Sequence, residues 1–274
     1  MATVSTDFVL RPFEGLPGET DWVALRELVP AATARVRTTA EHGDREVVVT
    51  TVLPDAWPAL HRADGQVLVA LQTHNSTGDV SRDLASVLLR ALDAEPGTPV
   101  EHLGLPTPGP RLQDVLVLDE PFEVHLETSF GYWLDPAAER TAQVSAAIEE
   151  ADSGIIPTVK LPGLDSAYWT AMGGREFVRW VQPLEEQVVL DGLSRLHGRR
   201  ESGFGGARFI GYFRAHGLVV PVWEMAAGTG ADAVADELAA FAPGFAAAVA
   251  DTSPLDANAR RARAGLVARQ VTLR

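Results

Sequence analysis

The sequence has no cysteine among its 274 residues, and Lys160 is the only lysine among its 23 basic residues. The lack of cysteine excludes disulfides, thiolate zinc sites, iron–sulfur clusters and cysteine nucleophiles. No other pattern in the chain calls for a cofactor. We therefore predict that these residues hold none.

Positive charge is also scarce, because 37 acidic residues give the chain a net charge of −14. A protein that binds the phosphate backbone broadly needs clustered Lys and Arg. We predict no nucleic acid partner. The chain also lacks an uninterrupted apolar run of about 18 residues and a basic start followed by an apolar core. This pattern predicts neither secretion nor membrane insertion, and we expect a cytoplasmic protein.

The short signatures of common enzyme classes are missing as well. The sequence contains no GxSxG, no HExxH, no Walker A loop and no EF-hand loop. These motifs place nucleophiles, zinc ligands, phosphates and calcium in many enzymes and sensors. We predict no catalytic residue and favour a non-enzymatic protein.

The chain does contain alternating helix and strand patterns. Apolar positions 80, 84, 87, 88 and 91 share one helical face, and the β-branched run 45–53 is typical of a strand. Residues 95–110 are rich in Pro and Gly and predict an irregular segment. Helices are predicted at 22–29, 80–92, 136–151, 185–198 and 231–248, and strands at 8–14, 45–53, 66–73, 114–118, 122–127, 155–161, 175–182, 207–215, 218–224 and 266–273, with a loop at 162–174.

These elements predict an α+β fold with largely antiparallel sheets. The segments 65–72 and 174–182 resemble each other, which indicates two weakly similar helix-strand-strand-helix-strand-strand units, a pseudo-duplication. The units are predicted at 1–128 and 129–274. The last helix and strand are expected to belong to the second unit or to complete the first sheet.

Two Gly-rich stretches are candidate anion sites. The GxGxxA at 228–233 opens a helix, as in dinucleotide-binding folds, and its alternative is a plain Gly-rich helix start with Asp232 as cap. The Arg-Gly loop 199–208 carries Arg199, Arg200 and Arg208 and could cradle an anion, or simply connect two elements.

Four polar residues on predicted strands are candidates for metal binding or acid–base work. His125 and Glu127 lie two apart and so share one strand face, with His216 and Glu224 in a later pair of strands. The alternative is that the histidines are structural or surface groups. No metal is assigned.

Aromatic pairs in two predicted loops indicate a recognition surface. Tyr132 with Trp133, and Tyr168 with Trp169, would offer large contact areas if exposed. The alternative is that these rings fill the seam between the two units.

Several long segments resemble a family of functionally uncharacterised proteins from high-GC actinobacteria. They are RPFEGLPGETDWVALRELVPAATA, VLPDAWPALHRADGQVLVALQ, GDVSRDLASVLLRALDAEPGTPV, IIPTVKLPGLDSAYW, FRAHGLVVPVWEM and RARAGLVARQVTLR. The resemblance implies members that often carry an N-terminal SEC-C zinc motif, a Cys-rich knuckle absent from these residues. It implies no catalytic residue.

The first functional prediction is a non-enzymatic cytoplasmic adaptor or binding module whose partner is a protein. Its alternative is an enzyme or sensor for a small anion or nucleotide, bound by loop 199–208 or the helix start 228–233. A third possibility is a homo-oligomer that pairs exposed sheet edges.

Overall fold

The computed structural model describes residues 8–73, 76–102 and 108–268. The chain forms two compact units, Met1–Ile155 and Ile156–Arg274. The division falls later in the chain than the boundary predicted after residue 128. Each unit contains one sheet and its own helices, so the α+β class predicted from the sequence is confirmed.

Unit 1 is built on a six-stranded sheet with the strand order β5-β3-β4-β2-β1-β6. Neighbouring strands are antiparallel except β2 and β4, which run parallel. The strands are β1 Ala32–Arg37, β2 Glu46–Thr50, β3 Ala59–His61, β4 Val67–Ala70, β5 Thr98–Val100 and β6 Val124–Leu126, and the helices are α1 Glu19–Glu27, α2 Val80–Asp93, α3 Leu112–Val115 and α4 Ala142–Asp152.

The core of unit 1 lies between α2 and one face of this sheet. Asp79 caps the start of α2, because its side chain accepts hydrogen bonds from backbone N–H groups of the first turn. The apolar spacing of the helix places Leu84 and Leu88 on its buried face. Leu84 and Leu88 line a small cavity together with Val47 and Val49 of β2. Alternation along the strands therefore turns the residues between them towards the opposite face of the sheet.

Unit 2 is built on a five-stranded, wholly antiparallel sheet with the order β10-β11-β9-β8-β7. Trp223 is fully buried at its centre, and its Nε1 donates to the carbonyl of Ser202 at 2.7 Å. The strands are β7 Thr158–Lys160, β8 Ala167–Met172, β9 Arg175–Trp180, β10 Arg208–Ala215 and β11 Leu218–Met225, and the helices are α5 Glu186–Arg199, α6 Ala231–Ala250 and α7 Ala257–Ala268.

Helices α6 and α7 pack on α5 where glycine allows close approach. A Cβ on Gly192 would lie 2.9 Å from the Cα of Val249 in α6, and a Cβ on Gly198 would lie 2.9 Å from the backbone nitrogen of Ala259 in α7. By length and mean hydropathy, α6 is the one described helix that could cross a membrane. Its Val234, Leu238 and Phe245 are buried in unit 2.

Several predicted elements are wrong. Residues 8–14 form turns rather than a strand, 112–115 form α3 within a predicted strand region, and β8 lies inside the predicted loop 162–174. The predicted strand 266–273 is helical up to Ala268, and its remainder lies outside the described residues. The two sheets differ in strand number and in the parallel pair, so the predicted duplication is not confirmed.

Candidate functional site

The clearest cavity with converging charged groups lies on the sheet face of unit 1 that faces away from α2. It has a volume of about 310 Å³, and we call it the unit 1 pocket. This is the lower end of the range for small-molecule sites, roughly 300 to 1,000 Å³. Its walls are Thr33, Arg35, Val48, Arg62, Gln66, Leu68, His125, Glu127, Gly131, Tyr132, Leu134, Pro136 and Arg140.

Side chains from the neighbouring strands β6, β1, β2 and β4 form the floor of the pocket in one row across the sheet. Thr33 of β1 lies opposite His125 of β6, while Arg35 of β1 lies opposite Val48 of β2. Val48 in turn lies beside Leu68 of β4. Because Thr33 and Arg35 are two apart on one strand, both side chains face the pocket. The floor is therefore apolar in its middle and polar towards β6.

A short 3-10 turn, Phe130–Trp133, forms the roof of the pocket. Ser129 caps it by accepting the N–H of Gly131 at 3.0 Å. Trp133 stacks on Phe130 with ring centroids 4.5 Å apart, and its Nε1 donates to the carbonyl of Val52 at 2.9 Å. The aromatic turn is thus tied to the segment that follows β2.

Arg62 fixes the same roof from the β3–β4 hairpin. Its Nη1 donates to the carbonyls of Tyr132 and Leu134 at 2.9 and 3.0 Å, and its Nε and Nη2 donate to Asp64 at 2.9 and 2.6 Å. The hydrogen bond from Arg62 holds the pKa of Asp64 below its usual range. Four of the five N–H groups of Arg62 are therefore engaged in holding the wall, and its charge is paired with Asp64.

Burial raises the pKa of Tyr132, whose hydroxyl donates to the carbonyl of Val52 at 3.4 Å. A phenol with a raised pKa stays neutral at physiological pH. Tyr132 therefore contributes a ring edge and no charge to the pocket.

Two charged groups in the pocket retain unused bonding capacity. Arg140 is exposed and makes no ion pair or hydrogen bond with the residues that the structure describes, and a Cβ on Gly131 would meet its Nη2 at 3.3 Å. Glu127 accepts the hydroxyl of Thr33 at its Oε1, 2.7 Å away, while its Oε2 has no hydrogen-bond partner in the described part of the chain. Arg35, in contrast, is paired with Glu46.

Three of the predicted site residues, His125, Glu127 and Tyr132, come together in this pocket. His216 lies instead in the turn between β10 and β11, with φ of 46°, and Glu224 lies at the far end of β11. Within residues 8–73, 76–102 and 108–268, no three His, Asp or Glu side chains form a metal-binding group. The four-residue constellation is not assembled.

The second predicted aromatic pair does not form a surface. Tyr168 is fully buried on β8. Trp169 is half-buried, and its Nε1 donates to Glu176 at 3.0 Å. The predicted placement of these rings in a loop is wrong because the segment forms a central strand of the sheet.

The Gly-rich helix start at 228–233 already holds an anion from the protein itself. The carboxylate of Glu176 accepts the N–H groups of Gly228 and Gly230, the latter at 2.8 Å. Burial raises the pKa of Glu176, but the hydrogen bonds from Gly230, Trp169 and Gly228 outweigh burial and lower it. The donors that would face a pyrophosphate in a dinucleotide site are occupied by this carboxylate.

The arginines of loop 199–208 are engaged in different local roles. Arg199 pairs with Glu201 at 2.7 Å, and Arg208 pairs with Glu224. Arg200 ends α5 in the left-handed conformation, with φ of 64°. These side chains do not converge on a common point, which disfavours the loop as an anion cradle.

Four pocket residues were not predicted from the sequence, namely Thr33, Arg35, Arg62 and Arg140. A signal for the first two was present, because Thr33 and Arg35 alternate with apolar residues in the ATARVR segment that forms β1. Arg62 stands just before Asp64-Gly65, a dipeptide that is typical of a turn and carries no signal for a binding site. Nothing in the sequence around Arg140 marks it.

The comparisons with known proteins give one match. The model of a family of unknown function matches residues 12–274. No curated protein and no solved structure matches the chain. The resemblance to a functionally uncharacterised family is confirmed, while the link to SEC-C motifs stays a prediction. Since the match covers nearly the whole sequence, the chain belongs to the family of unknown function DUF5926.

Proposed function

We propose that the protein is a binding protein for a small organic anion, which it takes into the unit 1 pocket. One observation carries the proposal. Arg35, Arg62 and Arg140 line a single cavity in a chain whose net charge is −14. Arg35 and Arg62 are already paired with Glu46 and Asp64, so Arg140 is the guanidinium that can bind the oxygens of an anion.

The composition of the pocket suits an anion with an apolar body. Val48 and Leu134 offer apolar surface, and Arg140 offers planar donors that match carboxylate or phosphate oxygens. Small-molecule sites commonly combine apolar walls with a few polar groups in this way.

The test is a thermal-shift and calorimetric panel of short aliphatic carboxylates and phosphate monoesters. A bound ligand raises the melting temperature in proportion to its occupancy. We expect at least one anion class to bind, with Arg140→Gln weakening it about tenfold or more. Arg260→Gln, which removes an exposed arginine of α7 in unit 2, is the matched control and should leave affinity unchanged. An anion panel without any shift would refute the proposal.

A protein partner is the second candidate, and an apolar face on the sheet of unit 2 favours it. Met172 and Ile210 are 49% and 39% exposed beside Phe177 and Val222, which line a cavity of about 250 Å³ with them. Large exposed apolar side chains in a cluster are typical of interaction surfaces. The adaptor would then bind through β8–β11.

Crosslinking in native cytoplasm followed by mass spectrometry tests this second candidate. The comparison is between the wild type and Ile210→Glu, which places a charge in the apolar face without disturbing a buried residue. A partner recovered by the wild type and lost from the variant supports the adaptor. If both proteins capture the same partners, the apolar face of unit 2 is not the surface that binds them.

A further inference from the structure

Two unpaired groups of opposite charge line the unit 1 pocket. Arg140 and the Oε2 atom of Glu127 both lack partners among the described residues, and they form no ion pair with each other. The remaining arginines of the walls are engaged, since Arg35 pairs with Glu46 and Arg62 with Asp64.

This arrangement suits an anion that also carries a positive group better than an anion alone. A carboxylate ligand placed near Glu127 would meet a like charge, which disfavours binding. A ligand that also carries a positive group turns the same carboxylate into a partner. The hydroxyl of Thr33 donates to Oε1 of Glu127 and so orients the carboxylate. Oε2 of Glu127 remains as the acceptor for a positive group of the ligand.

The apolar surface of the pocket defines the rest of the ligand. Val48 is half-buried in the middle of the floor, and half-buried Leu134 lies on the roof side. A cavity of about 310 Å³ suits a small molecule, so the ligand has room for two charged groups and a short hydrocarbon part.

We infer that the unit 1 pocket binds a free aliphatic α-amino acid, with its ammonium group on Glu127, its carboxylate on Arg140 and its side chain on the apolar floor. The inference rests on the proposed function, because the ligand's carboxylate is the anion proposed above. It adds the second charge and the aliphatic side chain. No bond is made or broken, and the contribution of each residue is recognition.

The experiment compares three ligands of one shape by isothermal titration of the full chain. Leucine carries both charges, 4-methylpentanoate lacks the ammonium, and isoamylamine lacks the carboxylate. We expect leucine to bind about tenfold or more tighter than either analogue, because a charge-assisted hydrogen bond is lost with each group.

The variants assign each charge to its residue. Glu127→Gln should weaken leucine about tenfold and leave 4-methylpentanoate unchanged or tighter, whereas Arg140→Gln should weaken both. Glu123→Gln, an exposed residue just before β6, is the control and should change neither. The wild-type panel decides the inference even if the Glu127 variant does not fold.

Two failures are distinguishable. If 4-methylpentanoate binds as tightly as leucine, the zwitterion inference is overturned while anion binding stands. If neither leucine nor any carboxylate or phosphate ester binds, the proposed function itself fails.

Discussion

The carboxylate of Glu176 accepts the backbone N–H of Gly230 at 2.8 Å. A helix N-terminus presents donors that attract an anion, and here strand β9 delivers that anion to the start of α6. The glycines at 228 and 230 adopt positive φ values of 82° and 78°, which lets their N–H groups turn towards one point. A motif that in other folds holds a phosphate therefore acts as an internal link between strand and helix.

Removal of this charge should destabilise unit 2. We expect Glu176→Gln to lower the free energy of unfolding at pH 7 by about 2 kcal/mol, because the N–H donors of the loop lose a charged acceptor. Urea unfolding followed by tryptophan fluorescence measures the change. Glu201→Gln removes an exposed ion pair and should cost less than about 1 kcal/mol.

Acid should also reveal the role of Glu176. Its pKa is lowered in the folded protein, so its stabilising contribution is complete above the ordinary glutamate value of about 4.3. The contribution is lost as pH falls from there through the lowered folded value. The difference in stability between wild type and Glu176→Gln should therefore shrink below about pH 4. A constant difference across the acid range would contradict the assignment.

Trp133 should behave as a structural residue of the pocket roof. It stacks on Phe130 and donates to Val52, so Trp133→Ala should lower the unfolding free energy by about 3 kcal/mol. Trp133→Phe keeps the stacking and loses the hydrogen bond, for a cost of about 1 kcal/mol. A melting temperature unchanged by the alanine variant would show that the ring is available for a partner instead.

The helix contact at Gly192 predicts opposite effects for one substitution at two sites. Gly192→Ala should destabilise unit 2 by about 2 kcal/mol, because the new methyl group collides with the backbone of Val249. Gly244→Ala on α6 meets nothing within 4 Å and should stabilise by roughly 0.5 to 1 kcal/mol. Denaturant titration of both variants tests the pair, and equal effects at both positions would exclude this packing.

Arg200 offers a test of whether the Arg-Gly loop is functional or structural. It ends α5 with φ of 64°, a conformation that glycine adopts more readily. Arg200→Gly should therefore raise the free energy of unfolding by about 0.5 to 1 kcal/mol. The melting temperature should rise slightly, and the affinity for ligand should stay unchanged. Loss of anion binding in Arg200→Gly would show instead that loop 199–208 contributes to an anion site.

Local signals explain which elements the sequence could predict. Helix α2 was predicted at 80–92 and begins and ends within one residue of that range, because its cap and its apolar spacing are both local. The apolar run that contains Val115 favoured a strand. It forms α3 instead, where the N–H of Leu112 donates to Ser81 at 3.0 Å, a contact that no local pattern encodes.

The residues of the candidate site also fall into two groups, those that a local pattern predicts and those that only tertiary contacts bring together. His125 and Glu127 could be predicted as neighbours on one face because strand alternation is a local rule. Arg35, Arg62 and Arg140 come from separate segments. The pairing of β1 with β2 and β6, the pairing of β2 with β4 and the hydrogen bonds of Arg62 bring them together. Strand register between distant segments is set by tertiary packing.

The bond between Thr33 and Glu127 joins residues 94 positions apart in the chain. Contacts this distant in sequence form late, because the intervening chain must first lose the entropy of a long closed loop. Strands β1 to β5 all precede residue 127 in the chain, but the pocket lacks one side until β6 pairs with β1. Ligand binding at this place would therefore be a property gained only at the end of folding, and a ligand present during synthesis would favour the completed unit over its precursors.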